Sequence, residues 1–122
     1  MNLSLSRSLL ALTLAASALL AGCSSPKTLY QWEDYQPQVY EYFKSDTPKE
    51  AQAEVLERDL QKIRSTGKSV PPGYHAHLGL LYLSMGKDDQ MVQELRTEKT
   101  LFPESGPYMD FLLKNATTGV VK

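Results

Sequence analysis

The sequence predicts an all-α domain of about four to five helices, and three observations predict it. From Tyr35 onward, apolar residues recur at spacings of three and four. Proline, glycine and short polar residues punctuate those runs where helices start and stop. No alternation of polar and apolar residues long enough for a buried strand lies between them, so a sheet has nothing to be built from.

The elements follow in chain order. Tyr35, Val39 and Phe43 recur at i, i+4 and i+8, with Tyr42 beside them, which predicts a short amphipathic helix over Gln36 to Lys44 with Pro37 in its first turn. Thr47-Pro48-Lys49-Glu50 reads as a capping box: Thr47 as N-cap, Pro48 at the first helical position, Glu50 reaching back. Ala53, Leu56, Leu60 and Ile63 then form one helical face that ends at Gly67, and Val70-Pro71-Pro72-Gly73 is a stiff connector. A third helix is expected over Gly73 to Met85, with Tyr74, Leu78, Leu81, Tyr82 and Met85 inward and Gly86 as its stop. Asp88 or Asp89 is placed to cap a fourth helix reaching Leu101, with Met91, Val92, Leu95 and Phe102 inward and a break at Pro103. Ser105 and Pro107 open a last helix carrying Tyr108, Phe111 and Leu112 on its apolar side, and residues 116–122 are expected to fray.

Ahead of the helices stands an address. Arg7 and the amino terminus supply positive charge, and Leu9 to Leu20 form a short apolar run. Twelve residues of helix span about 18 Å, against a bilayer core of about 30 Å, so the run is a signal core and not a membrane anchor. Leu20, Ala21, Gly22 and Cys23 follow, and this tetrad resembles the lipobox of bacterial lipoproteins. The resemblance implies a diacylglyceryl thioether on Cys23, cleavage after Gly22 and acylation of the new amine. An ordinary signal peptide with a chance cysteine is the alternative, but the sole cysteine of the chain stands where the motif requires it. Ser24 and Ser25 after the cysteine, with no Asp, point under the usual sorting rule to the outer membrane and to a domain on its periplasmic side. The expected organisation is a signal peptide at 1–22, a lipidated tether at 23–29 and one helical domain at 30–122.

Composition narrows the function. Of 122 residues, 13 are Lys or Arg and 14 Asp or Glu; Arg7 lies in the signal, so the mature part is slightly acidic, with no basic block to bind nucleic acid. One cysteine excludes an internal disulfide, and too few Cys and His exist for a zinc knuckle.

Leu78-Gly79, Tyr82, Gly86, Leu95 and Pro103 are spaced as in a tetratricopeptide repeat, which this stretch of about 73–105 resembles. Gly79 would let two helices approach closely, since a glycine costing about 1 kcal/mol inside a helix usually has a packing reason. His75, Met91 and Glu98 depart from the repeat pattern, standing at positions where Trp or small residues are usual. A wider resemblance covers Tyr30-Gln31-Trp32, Tyr35 to Tyr40, Gly73 to Tyr82 and Glu98 to Ser105. These runs are similar to an uncharacterised family of small bacterial lipoproteins, typically encoded beside lipoproteins like the curli secretion channel. That resemblance implies a helical lipoprotein within a larger envelope assembly.

Chemistry is sparse. His75 and His77, two residues apart, point about 200° from each other on a helix and cannot share a metal, so no metal site is expected. His75 reads as a packing residue and His77 as solvent-facing. Glu94 and Glu98 read as a solvated pair one turn apart. No phosphate loop and no Gly-x-Ser-x-Gly elbow occurs, and neither a cofactor nor an enzymatic activity is expected. Six of the eleven aromatic residues lie between Tyr30 and Phe43. They are expected to pack across the helix pair of residues 73–102, or else to leave Tyr30, Trp32 and Tyr35 exposed as anchors for a partner or the lipid interface. Lys87, Asp88, Gln90, Gln93, Arg96 and Lys99 form a polar face suited to a salt-sensitive protein contact. The leading expectation is a non-enzymatic outer-membrane lipoprotein that binds other envelope lipoproteins. A structural cap for a partner is the second, and a periplasmic hydrolase, which would need a polar pocket, the third.

Overall fold

The computed structural model describes residues 27–119. The expected signal peptide, the lipobox residues Leu20, Ala21, Gly22 and Cys23, and the last three residues lie outside the described part. Among the described residues five α-helices follow an extended strap: α1 (Tyr35–Lys44), α2 (Lys49–Ser65), α3 (Tyr74–Ser84), α4 (Asp88–Leu101) and α5 (Gly106–Thr117), with a 3₁₀ turn at Pro103–Ser105 between the last two. The domain is all-α, and among the described residues the extended contact is one isolated parallel bridge between Tyr30 and Ser69.

The helices pack in series, α1 on α2, α2 on α3, α3 on α4 and α4 on α5, with the antiparallel α3–α4 hairpin the most extensive interface. α3 is covered on nearly every side: Tyr74, His75, His77, Leu78, Gly79, Leu81, Tyr82 and Leu83 are all buried. A helix apolar around most of its circumference belongs at the centre, and here it carries α2 on one flank and α4 on the other. The apolar face of α2 (Ala53, Leu56, Leu60, Ile63) forms a single core with Met91 and Leu95 of α4 and with Met109, Leu112 and Ala116 of α5. Each fully buried leucine there contributes about 1.5–3 kcal/mol. Within the core the Tyr74 hydroxyl donates to the Leu56 carbonyl (2.7 Å), so the ring is buried without an orphaned oxygen.

Local chemistry explains the boundaries and corrects several expectations. Thr47 does not cap α2. Pro48 is the N-cap, with ψ 144° outside the helical range, and the Thr47 hydroxyl donates to Glu41 of α1 (2.9 Å). The chain entry is held instead by the Gln52 side-chain amide, which donates to the Thr47 carbonyl (2.8 Å). Asp88 and Asp89 do not cap α4 either, because the helix starts at Asp88 with Lys87 as N-cap; the two carboxylates lie in the first turn, where they favour the helix dipole.

Two stripes are rotated from expectation. In α1 the core side runs through Tyr35 and Tyr42, seven residues or two turns apart, while Phe43 is 79% exposed. In α5 the buried side chains are those of Met109, Leu112 and Ala116; Tyr108 and Phe111 are outside, stacked on each other with centroids 6.2 Å apart. Ala116, expected to fray, is buried on α5. The chain enters α5 through the Pro103–Ser105 turn, and the face packed into the core with α4 is the one that carries Met109, Leu112 and Ala116.

Candidate functional site

The polar chemistry concentrates where α3 begins. Gly73 starts the helix from φ 88°, a left-handed conformation, and a side chain there would also meet the Tyr35 hydroxyl at 2.8 Å. Neither Gly73 nor the residues before it offer a capping side chain, so the first amides of α3 need an acceptor from elsewhere. Glu98 of α4 supplies it. Oε1 accepts from the Gly73 amide (2.6 Å), and Oε2 accepts from the His75 and Ala76 amides (3.1 and 3.3 Å). The carboxylate is 2% exposed, so its charge is balanced by three N–H dipoles at the positive end of a helix and not by water. Glu98 is therefore no solvated surface residue, and the expectation that it pairs with Glu94 on an open face is corrected.

Glu94, one turn earlier and half-buried, places Oε2 2.6 Å from Nδ1 of His75. An ionised carboxylate can only accept, so the shared proton rests on Nδ1 and the ring is oriented by α4. His77 projects to the other flank. Contrary to the solvent-facing expectation it is buried, because α1 lies over it and brings the Tyr42 and Tyr35 rings edge-on at 5.3 and 6.0 Å. Burial pushes its pKa down from 6.5 to about 4, the nearby Lys49 charge pushes the same way, and a bond to the Gln38 backbone opposes both. Its Nε2 has no hydrogen-bond partner. Among the described residues no three Cys, His, Asp or Glu side chains converge to hold a metal.

A cleft of about 390 Å³ opens beside His75, between the strap, the end of α2 and the end of α4. Buried Leu60, Ile63 and Val70 and half-buried Phe102 make it apolar, and exposed Arg64 and Lys68 line it as cations. Thr97 also lines it, with its hydroxyl donated to the Gln93 carbonyl (2.9 Å) and not to the His75 ring. A second, shallower groove of about 540 Å³ runs along one face of α4 past Asp89, Gln93 and Arg96, and the two depressions adjoin at Thr97 and Leu101.

The residues singled out by sequence fall into place unevenly. Leu78 and Leu95 are 1% exposed at the α3–α4 contact, Tyr82 is buried, Gly86 makes the turn and Pro103 starts the 3₁₀ turn after α4. A Cβ on Gly79 would lie 3.1 Å from Leu95, a contact tight enough that Leu95 would have to give way. Tyr30 and Tyr35 are not free anchors: Tyr30 packs edge-on against Phe102, and Tyr35 packs against Tyr74 with centroids 5.2 Å apart. Trp32 stacks on Tyr35 yet stays 39% exposed, and Arg96 keeps its place on the open groove. Glu98 was missed although a signal existed. Met91, Leu95, Glu98 and Phe102 step by 4, 3 and 4, so the glutamate occupies a position on the inner stripe.

The model of one protein family, described as a domain of unknown function (DUF4810), matches residues 29–112, from the strap through most of α5. The chain belongs to the DUF4810 family. The DUF4810 match therefore spans all of the elements that build the cleft and the Glu98 cap. Neither the curated proteins nor the solved structures contain a significant match.

Proposed function

We propose that this DUF4810 protein is a lipid-anchored, non-enzymatic outer-membrane lipoprotein whose helical domain, with a tetratricopeptide-like unit at α3–α4, docks partner lipoproteins of the envelope. One observation carries the docking reading. Tyr108 and Phe111, 58% and 56% exposed, stack on each other outside the last helix of the series. Large rings held in a fixed pose on a surface supply contact area at low entropic cost, the usual chemistry of an interface anchor. The groove along α4, with Asp89, Gln93 and Arg96 on its lining, offers salt-sensitive contacts. The anchor reading rests on the Leu-Ala-Gly-Cys tetrad ending at Cys23.

Mild crosslinking of the wild-type protein in intact cells, with mass spectrometry of what co-purifies, tests it. Tyr108→Ala/Phe111→Ala and Gln93→Ala/Arg96→Ala, checked for folding by circular dichroism, should each lose a co-purifying envelope lipoprotein. Cys23→Ala should accumulate as unlipidated precursor. The reading fails if no envelope protein is captured, or if every captured protein survives both double substitutions. A second reading, a cap that stabilises a partner, is favoured by the aromatic surface at the opposite end of the series, where Tyr40 and Phe43 of α1 are 63% and 79% exposed. It predicts that residues 24–122 melt far lower alone than when co-purified.

A further inference from the structure

We infer that the end of the domain where the strap enters is a seat for an anionic bilayer surface, formed by Arg64, Lys68 and Lys27 with Leu29 and Trp32. The inference rests on the lipid-anchor reading for its geometry. Cys23 precedes Lys27 by four residues, at most about 14 Å of extended chain, and precedes Tyr30 by seven, about 25 Å. At that point the strap is fastened to the domain: the Gln31 amide donates to the Ser69 carbonyl (2.9 Å), and Tyr30 packs on Phe102. The strap thus enters beside the loop that carries Lys68 and the end of α2 that carries Arg64, and a lipid on Cys23 would hold this end of the domain close to the membrane.

Positive charge at this end is only partly compensated. Glu33 is paired with Lys62 (2.6 Å) and also lies in the field of Lys68, and Asp34 and Asp59 both face Arg58 (3.8 Å). Arg64 and Lys68, both exposed, have no carboxylate within ion-pair distance among the described residues. In the same strap Leu29 is 77% exposed and Trp32 39% exposed, an aliphatic and an indole side chain of the kind that settle at a headgroup boundary. Cations held within a Debye length of an anionic surface are attracted to it, and two reversed charges should weaken that attraction roughly tenfold or more. The seat would fix how the domain stands on the membrane.

Trp32 is the sole tryptophan, so its emission reports this surface directly. The purified mature protein is inserted into vesicles of phosphatidylcholine, with or without phosphatidylglycerol, carrying a headgroup spin-label quencher. Quenching of Trp32 should be at least twofold stronger with phosphatidylglycerol, and Arg64→Glu/Lys68→Glu should abolish that difference while circular dichroism stays unchanged. Equal quenching in both vesicles, or a difference untouched by the double reversal, overturns the seat. Mass spectrometry of Cys23 separates the two claims. If the cysteine carries no acyl groups, the anchor reading fails, and cosedimentation of the same protein with phosphatidylglycerol vesicles decides the seat: binding lost on double reversal supports it, and no binding overturns it.

Discussion

The two flanks of α3 are both buried, yet they solve the problem of buried polarity in opposite ways. On the α4 side every polar contact is charge-assisted: Glu98 takes three amides, and Glu94 takes the His75 ring. On the α1–α2 side Tyr74 is satisfied by the Leu56 carbonyl, but two polar atoms, Nε2 of His77 and Oε1 of Gln52, are buried without a partner. The α4 flank therefore fixes one geometry, whereas the α1 flank stores a cost. Unpaired buried polar atoms cost about 1–3 kcal/mol each, so the α1 flank is expected to loosen more readily than the α4 flank.

Removing the acceptor on the tight flank should have the largest effect. Glu98→Ala orphans three N–H groups and should destabilise by about 3–5 kcal/mol in urea titration. Glu98→Gln should also lose more than about 1 kcal/mol, since one carbonyl oxygen cannot serve three donors and its amino group faces them. Full stability of Glu98→Gln would mean that the cap is incidental.

The loose flank should show itself in pH. The folded pKa of His77 lies near 4, below the ordinary 6.5, so the unfolded chain takes up the proton first as pH falls. Its contribution is complete above about pH 6.5 and is lost between 6.5 and 4, at about 1.4 kcal/mol per pH unit and about 3 kcal/mol in all. His77→Phe, which removes both the titration and the orphaned nitrogen, should flatten this acid limb in melts at successive pH values. An unchanged limb would show that His77 does not titrate there.

Smaller effects sharpen the contrast. Gly79→Leu must press against Leu95 and Glu94, whose carbons already lie 3.1–3.4 Å from a first side-chain carbon, and should cost about 1–3 kcal/mol by thermal melting. Thr47→Ala should cost less than about 0.5 kcal/mol, because the hydroxyl bonds Glu41 near the surface and caps nothing. A loss near 1 kcal/mol would restore the capping role.

Much of the architecture was legible because helix periodicity and punctuation are local. Gly73, Gly86 and Pro103 bound α3 and α4 within a residue or two of where the sequence puts them, and Leu78, Tyr82, Met91 and Leu95 face the core as their spacing requires. Where two stripes compete, local spacing has no vote. In α5 both Tyr108-Phe111-Leu112 and Met109-Leu112-Ala116 run at helical intervals, and packing against α4 and the shared core selects the second. The candidate site was the least legible part. Glu98 lies 25 residues from the amide it caps and His77 is covered by a separate helix, so their burial depends on which helix packs where. The sequence by itself determined the helices, their order and the close approach at Gly79, since these follow from backbone sterics and spacing within a few turns. The tertiary structure alone decided which charges are buried, which aromatics are exposed and where the cleft opens, because those depend on the free energy of contacts between residues far apart in the chain.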